Sequence, residues 1–147
     1  MDPSENKATG ASSKLELKIV LEKTSTGYSA YAPDEEGIYT AGETYEELKE
    51  NIIEVLELRI EYLEEIGDAE NADRLRNSRI EYFLDIQQFF EQYPMLNKSE
   101  FASFIGMNPS MMRKISKGLV ALSDTKARQI EEGLRRLADE FSKVNFA

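Results

Sequence analysis

The side chains best suited to recognition chemistry lie close together, between Lys98 and Lys117, in the run KSEFASFIGMNPSMMRKISK. Arginine matches guanine O6 and N7, asparagine matches adenine N6 and N7, and serine serves either base. Asn108, Ser110 and Arg113 are therefore expected to read base edges. Lysine is a point charge that pairs with phosphate and fixes the pose, a role that falls to Lys98, Lys114 and Lys117. The residue types for other chemistry are missing. The chain of 147 residues has no histidine, which removes the commonest general base and the commonest zinc ligand. It has no cysteine, which excludes disulfides and thiolate nucleophiles and fits a reducing, cytoplasmic setting. No cofactor and no metal are expected.

The recognition residues can work only on a short helix held at a steep angle to another, so that its tip enters the major groove. The same run supplies that scaffold. Asn97 and Glu100 form a capping pair for a first helix. Ala102 is small where the two helices meet, and Gly106 suits a turn that needs positive φ. Phe101, Ile105, Met107, Met112 and Ile115 are placed to fill the angle between the helices. Asn108-Pro109 starts the second helix, with Asn as N-cap and Pro at the first helical position, and Gly118 ends it. With Met112 and Ile115 inward, Ser110, Arg113, Lys114 and Lys117 face outward. The unpaired N–H groups of a helix N-terminus are a further expected phosphate contact. A solvated face, or a helix-turn-helix used for protein binding, would carry the same cations. One such module binds DNA weakly, so a homodimer or higher oligomer is expected. Ser123 opens a last helix to about Lys143. On it Ala127, Ile130, Leu134, Leu137, Phe141 and Val144 recur at three and four residues, a seam that pairs with its copy or closes the helix-turn-helix core.

Upstream the periodicity differs. Leu15, Leu17, Ile19 and Leu21 alternate with Glu16, Lys18, Val20 and Glu22, which predicts a half-buried strand over Lys14–Lys23. Gly27–Ala32 is a second strand, Pro33–Gly37 a turn, and Ile38–Ala41 a short third strand. Thr44 and Glu47 form a capping box for a helix that carries Leu48, Ile52, Val55, Leu56, Leu63 and Ile66 on one face and acids on the other, ending at Gly67. The stretch 67–79 reads as a loop or a short helix. Arg79–Ile86 is a fourth strand, with Ile80, Tyr82, Leu84 and Ile86 on one face, reached by a crossover long enough for parallel pairing. A short helix over Gln87–Tyr93 follows, stopped by Pro94. The expected architecture is α+β: residues 1–13 a disordered tail, 14–86 a β-β-β-α-β domain, and 87–147 an all-α helix-turn-helix domain.

Charge is also unevenly spread along the chain. Residues 1–93 hold 9 Lys/Arg against 22 Asp/Glu, and residues 94–147 hold 9 against 6. Such asymmetry points to two different partners: an acidic part that repels nucleic acid and attracts a basic protein, and a mildly basic part that approaches phosphate. No apolar run approaches the roughly 20 residues of a membrane helix, so no membrane contact is expected.

The run GYSAYAPDEEGIYTAGETYEELKENIIEVLEL resembles the core of HicB antitoxins in its aromatic strand Tyr28–Ala32, its Pro33-Asp34 turn, Gly42, and the helix start Thr44-Tyr45-Glu46-Glu47. The later run LDIQQFFEQYPMLNKSEFASFIGMNPSMMRKISKG is similar to HicB-type proteins that carry a Cro/repressor-like helix-turn-helix. Where the family has Pro-Gly-Cys, this chain has Glu36-Gly37-Ile38. The resemblance implies a degraded ribonuclease-H-like domain that blocks a small basic mRNA-cleaving toxin, HicA, and a helix-turn-helix that represses the operon. Tyr28, Tyr31, Asp34, Glu35, Glu36 and Tyr39, around the second hairpin, are then the expected toxin contacts. A working ribonuclease-H site needs three or four carboxylates converging on magnesium. Glu16 and Glu22 on the first strand, and Glu81 and Asp85 on the fourth, are not forced to converge, so the chain is read as no enzyme. The rival reading is a stand-alone helix-turn-helix regulator whose α/β domain senses a ligand or dimerises.

Overall fold

The computed structural model describes residues 16–147; the expected tail 1–13, and Lys14 and Leu15 of the first predicted strand, lie outside the described residues. The fold is α+β, and the chain divides into two compact units, one ending at Leu84 and one spanning Asp85–Ala147.

The first unit contains β1 (Glu16–Lys23), β2 (Tyr28–Tyr31), β3 (Tyr39–Gly42), α1 (Tyr45–Glu65), α2 (Ala69–Arg76) and β4 (Arg79–Phe83). The strands lie in the order β3-β2-β1-β4. The two hairpin contacts are antiparallel, and β4 returns parallel to β1 after the helical crossover. Alternation along β1 buries Leu17, Ile19 and Leu21 on one face, joined in register by Ala30 of β2. Tyr28 shares that face and meets Tyr45 of α1 edge-on, with ring centroids 6.0 Å apart. The helix therefore covers this side, with Leu48, Ile52 and Leu63 buried beneath it. Ile66, expected in the same apolar stripe, is exposed, because it is the C-cap residue, beyond the last turn.

Thr44 caps α1 by accepting from Glu47 N–H at 3.1 Å, while Glu47 reaches past Thr44 to the N–H of Glu43 at 3.4 Å. The box is thus half as expected and shifted by one residue on its other half. The ambiguous stretch after Gly67 contains the helix α2. Asp68 caps it, accepting from Asn71 Nδ2 at 2.7 Å and from Asn71 N–H at 3.2 Å. Those bonds, the side-chain one first, hold the Asp68 carboxyl below its ordinary range. Their contribution to stability is complete above the ordinary carboxylate pKa and is lost as pH falls through the depressed folded value, so α2 stays capped at neutral pH. β4 is shorter than its alternation predicts. It stops at Phe83 because Asp85 turns the chain into the next helix, accepting from Gln88 N–H at 2.8 Å, and Ile86 is helical.

The second unit contains α3 (Ile86–Gln92), α4 (Lys98–Ile105), α5 (Pro109–Ser116) and α6 (Asp124–Phe141). One core joins Phe90, Phe101, Ala102, Ile105, Met107, Met112, Ile115 and Ile130, with Leu134 and Leu137 packed against it. The front of the α6 seam therefore closes this core, and its far end, Phe141 and Val144, stays exposed. Gly133 makes the approach possible: a Cβ there would lie 2.1 Å from Ile105 Cγ2. Ile105 is β-branched and itself buried, so it has little room to yield. Gly133→Ala should therefore lower the stability of this unit by about 1–3 kcal/mol despite alanine's better helix propensity. Chemical denaturation checks the sign. No helix among the described residues is long and apolar enough to cross a membrane.

Candidate nucleic-acid interface and the exposed sheet face

α4 and α5 are joined by Gly106, Met107 and Asn108 alone. Gly106 takes φ 77°, which lets Met107 N–H reach back to Ala102 C=O at 2.8 Å and Gly106 N–H to Ser103 C=O at 3.2 Å. The turn carries Met107 straight into the core. Ala102 is fully buried, and a larger side chain at that position would push the helices apart. Every residue expected to fill the inter-helix angle is buried.

Ser110, Arg113, Lys114 and Lys117 are exposed and recur at three- and four-residue spacing, so they share one face of α5. From Lys98 to Lys117 four cations stand against the single carboxylate of Glu100. Lys98 is half-buried, and its Nζ sits 5.6 Å from the Phe90 ring centroid. Arg113 Nη1–H donates to Ser99 Oγ at 2.9 Å.

Asn108 takes its expected capping role, and that role limits it as a base reader. Its Oδ1 accepts from Ser110 N–H at 2.8 Å and from Met111 N–H at 3.3 Å. A two-point contact with adenine needs that oxygen as acceptor, so the cap leaves Asn108 only its amide donors. The tip of α5 is also no phosphate nest. Pro109 has no N–H, Ser110 and Met111 are held by the cap, and Met112 N–H bonds Asn108 C=O at 3.0 Å. The tip therefore offers a ligand side chains and no free main-chain N–H cluster.

In the first unit the six residues grouped around the hairpin do not form one surface. Tyr28 packs on the helix side against Tyr45, whereas Tyr31 and Tyr39 stand opposite each other on the other side of the sheet. Glu35 is ion-paired with Arg74 of α2, and Gly37, at φ 78°, lies against the Arg59 side chain, which pins the turn. Asp34 and Glu36 are exposed.

Strand register reveals a surface the sequence reading missed. Tyr39 pairs with Tyr31, Tyr31 with Val20, and Val20 with Phe83, a row across all four strands on the face away from α1. Tyr39 is 66% exposed and Phe83 46%. Lys18 Nζ lies 4.4 Å from the Phe83 ring centroid, and Tyr31 Oη donates a long bond of 3.5 Å to Glu22. Beside Tyr39 is an open cleft of about 420 Å³, bordered by Glu43 and Glu47. Counting β-strand parity across the strands would have found the row, but it needs the pairing register first. Over residues 16–84 seven cations face eighteen carboxylates, eight of the latter on α1.

Of the carboxylates weighed for metal binding, Glu16 and Glu81 share Arg79, Glu22 accepts from Tyr31, and Asp85 caps α3. Among the described residues no three His, Cys, Asp or Glu side chains are grouped to hold a metal ion. No family model matches this chain, no curated protein matches it, and no solved structure matches it.

Proposed function

We propose that this chain is a cytoplasmic, non-enzymatic antitoxin of HicB type. Its α/β unit, a degraded ribonuclease-H-like domain, occupies a small basic ribonuclease toxin. Its helix-turn-helix represses the operon that encodes both. The observation that carries the reading is the locked α4–α5 wedge with Ser110, Arg113, Lys114 and Lys117 exposed on one face. The resemblance of the Gly27–Leu58 run to HicB cores, together with the excess of carboxylates, supports the toxin half. The acidic α1 supplies a field that draws in a basic partner and repels nucleic acid. The row Tyr39–Tyr31–Val20–Phe83 supplies apolar area for docking, and its aromatic rings and flanking carboxylates suit arginine and lysine. Phosphate-anchored modules gain useful affinity in symmetric pairs, so the repressor works as a dimer or higher oligomer.

The test is co-expression of the full chain with the small basic protein encoded beside it, followed by a gel-shift on the duplex upstream of its own gene. Co-purification, relief of toxicity and a salt-sensitive shift are the expected results. Phe83→Glu should abolish co-purification and leave the shift intact. No shift even at low salt overturns the repressor assignment. A Phe83→Glu chain that still holds the basic protein removes the sheet face from the contact.

A further inference from the structure

Arg113 does not hang free from α5. Its partner Ser99 is 14 residues away, in the first turn of α4, and their hydrogen bond spans the groove between the two helices. The buried wedge of Phe101, Ala102, Ile105, Met112 and Ile115 fixes the helix spacing that makes this bond possible. Among the described residues no carboxylate is ion-paired with Arg113 within salt-bridge range. The choice of partner matters. A carboxylate would orient the guanidinium but cancel its charge, whereas a serine hydroxyl orients it and leaves the charge for the ligand.

Resting on the DNA-binding reading, we infer that Ser99 is a positioning residue that pre-sets Arg113 for two-point recognition of guanine. Ser99 holds the Nη1 side. The Nε–H and Nη2–H donors stay parallel and free, the edge that matches guanine O6 and N7. An arginine already held by a hydrogen bond loses less conformational freedom on docking, which raises affinity for the guanine-containing site specifically. Lysines at Lys114 and Lys117 bind any sequence, so Ser99 acts on discrimination rather than on general affinity.

The experiment starts by selecting duplexes from a random-sequence pool with the full chain. Affinity for the enriched duplex and for a scrambled one is then measured over a range of salt. Ser99→Ala is expected to reduce the ratio of the two affinities about 2- to 10-fold, the range of one ordinary net hydrogen bond at an exposed site. Affinity for the scrambled duplex, the salt slope and the thermal unfolding of the protein should not move. Ser99→Thr, which keeps the hydroxyl, should restore most of the ratio. In an Arg113→Ala background Ser99→Ala should do nothing further. An unchanged ratio overturns the inference, and so does a raised one, which would mean that the bond sequesters Arg113. Equal loss on both duplexes overturns it as well. If the unmodified chain enriches no sequence, the DNA-binding reading itself fails.

Discussion

Gly42→Val is expected to unfold the first unit at a temperature roughly 12–24 °C lower, the shift that about 3 kcal/mol produces in a domain of this size. Gly42 ends β3 where α1 begins. A Cβ there would lie 2.7 Å from the backbone N of Leu48 and 3.0 Å from its Cα. These are main-chain atoms of the first turn of a helix, so no rotamer change relieves the contact. Either β3 leaves the sheet edge or α1 lifts off, and the second course exposes Leu48 and Ile52, which are otherwise 1% exposed or less. The φ of Gly42 is not in the left-handed region, so the loss comes from crowding and not from backbone strain. Gly42→Ala should move the same way by a smaller amount. Thermal unfolding followed by circular dichroism measures both, and an unshifted transition in Gly42→Val would show that β3 and α1 are not in close contact.

The second large effect follows from the proposed DNA binding and is expected only if that proposal holds. Arg113→Ala should lower affinity for the preferred duplex by about 5- to 150-fold per recognition helix, the range for one two-point base contact. It should also flatten the preference at one base position. Lys114→Glu should act differently. It removes a phosphate contact and adds a repulsion, so it should weaken binding to all duplexes alike and reduce the slope of log K against log salt by about 1 per copy. In a symmetric dimer both losses are counted twice. The two substitutions therefore separate base reading from backbone anchoring on one helix. Fluorescence anisotropy at several salt concentrations distinguishes them, and identical behaviour of the two variants would remove the distinction between their roles.

Much of the fold was legible because local signals agreed. Alternation fixed β1, and the Thr44 and Asn108-Pro109 caps fixed the starts of α1 and α5. Where the reading failed, a local signal was ambiguous or the deciding partner was distant. Leu84 and Ile86 continue the alternation of β4, and only the capping bond of Asp85 to Gln88 ends it. α2 has just Ala72 and Leu75 buried, too few positions to declare a period. The crowding at Gly42 and Gly133 depends on Leu48 and Ile105, whose positions no single sequence gives. In the site, the outward set on α5 followed from helical spacing and the inward Met112 and Ile115. The hairpin set divides by parity between the two faces of the sheet. Tyr28 and Tyr31 are three apart on one strand and must point to opposite faces. The employment of Asn108 as a cap was foreseen, but its consequence for adenine recognition was not.

The strand order β3-β2-β1-β4 has a consequence for behaviour at high concentration. The eight-residue strand is interior, and the margins of the sheet are segments of four and five residues. A margin of four residues offers roughly 13 Å of main chain for templating another molecule, and one that short is a poor seed for polymerisation. A protein of this design can reach high concentration without assembling into fibres through its own sheet.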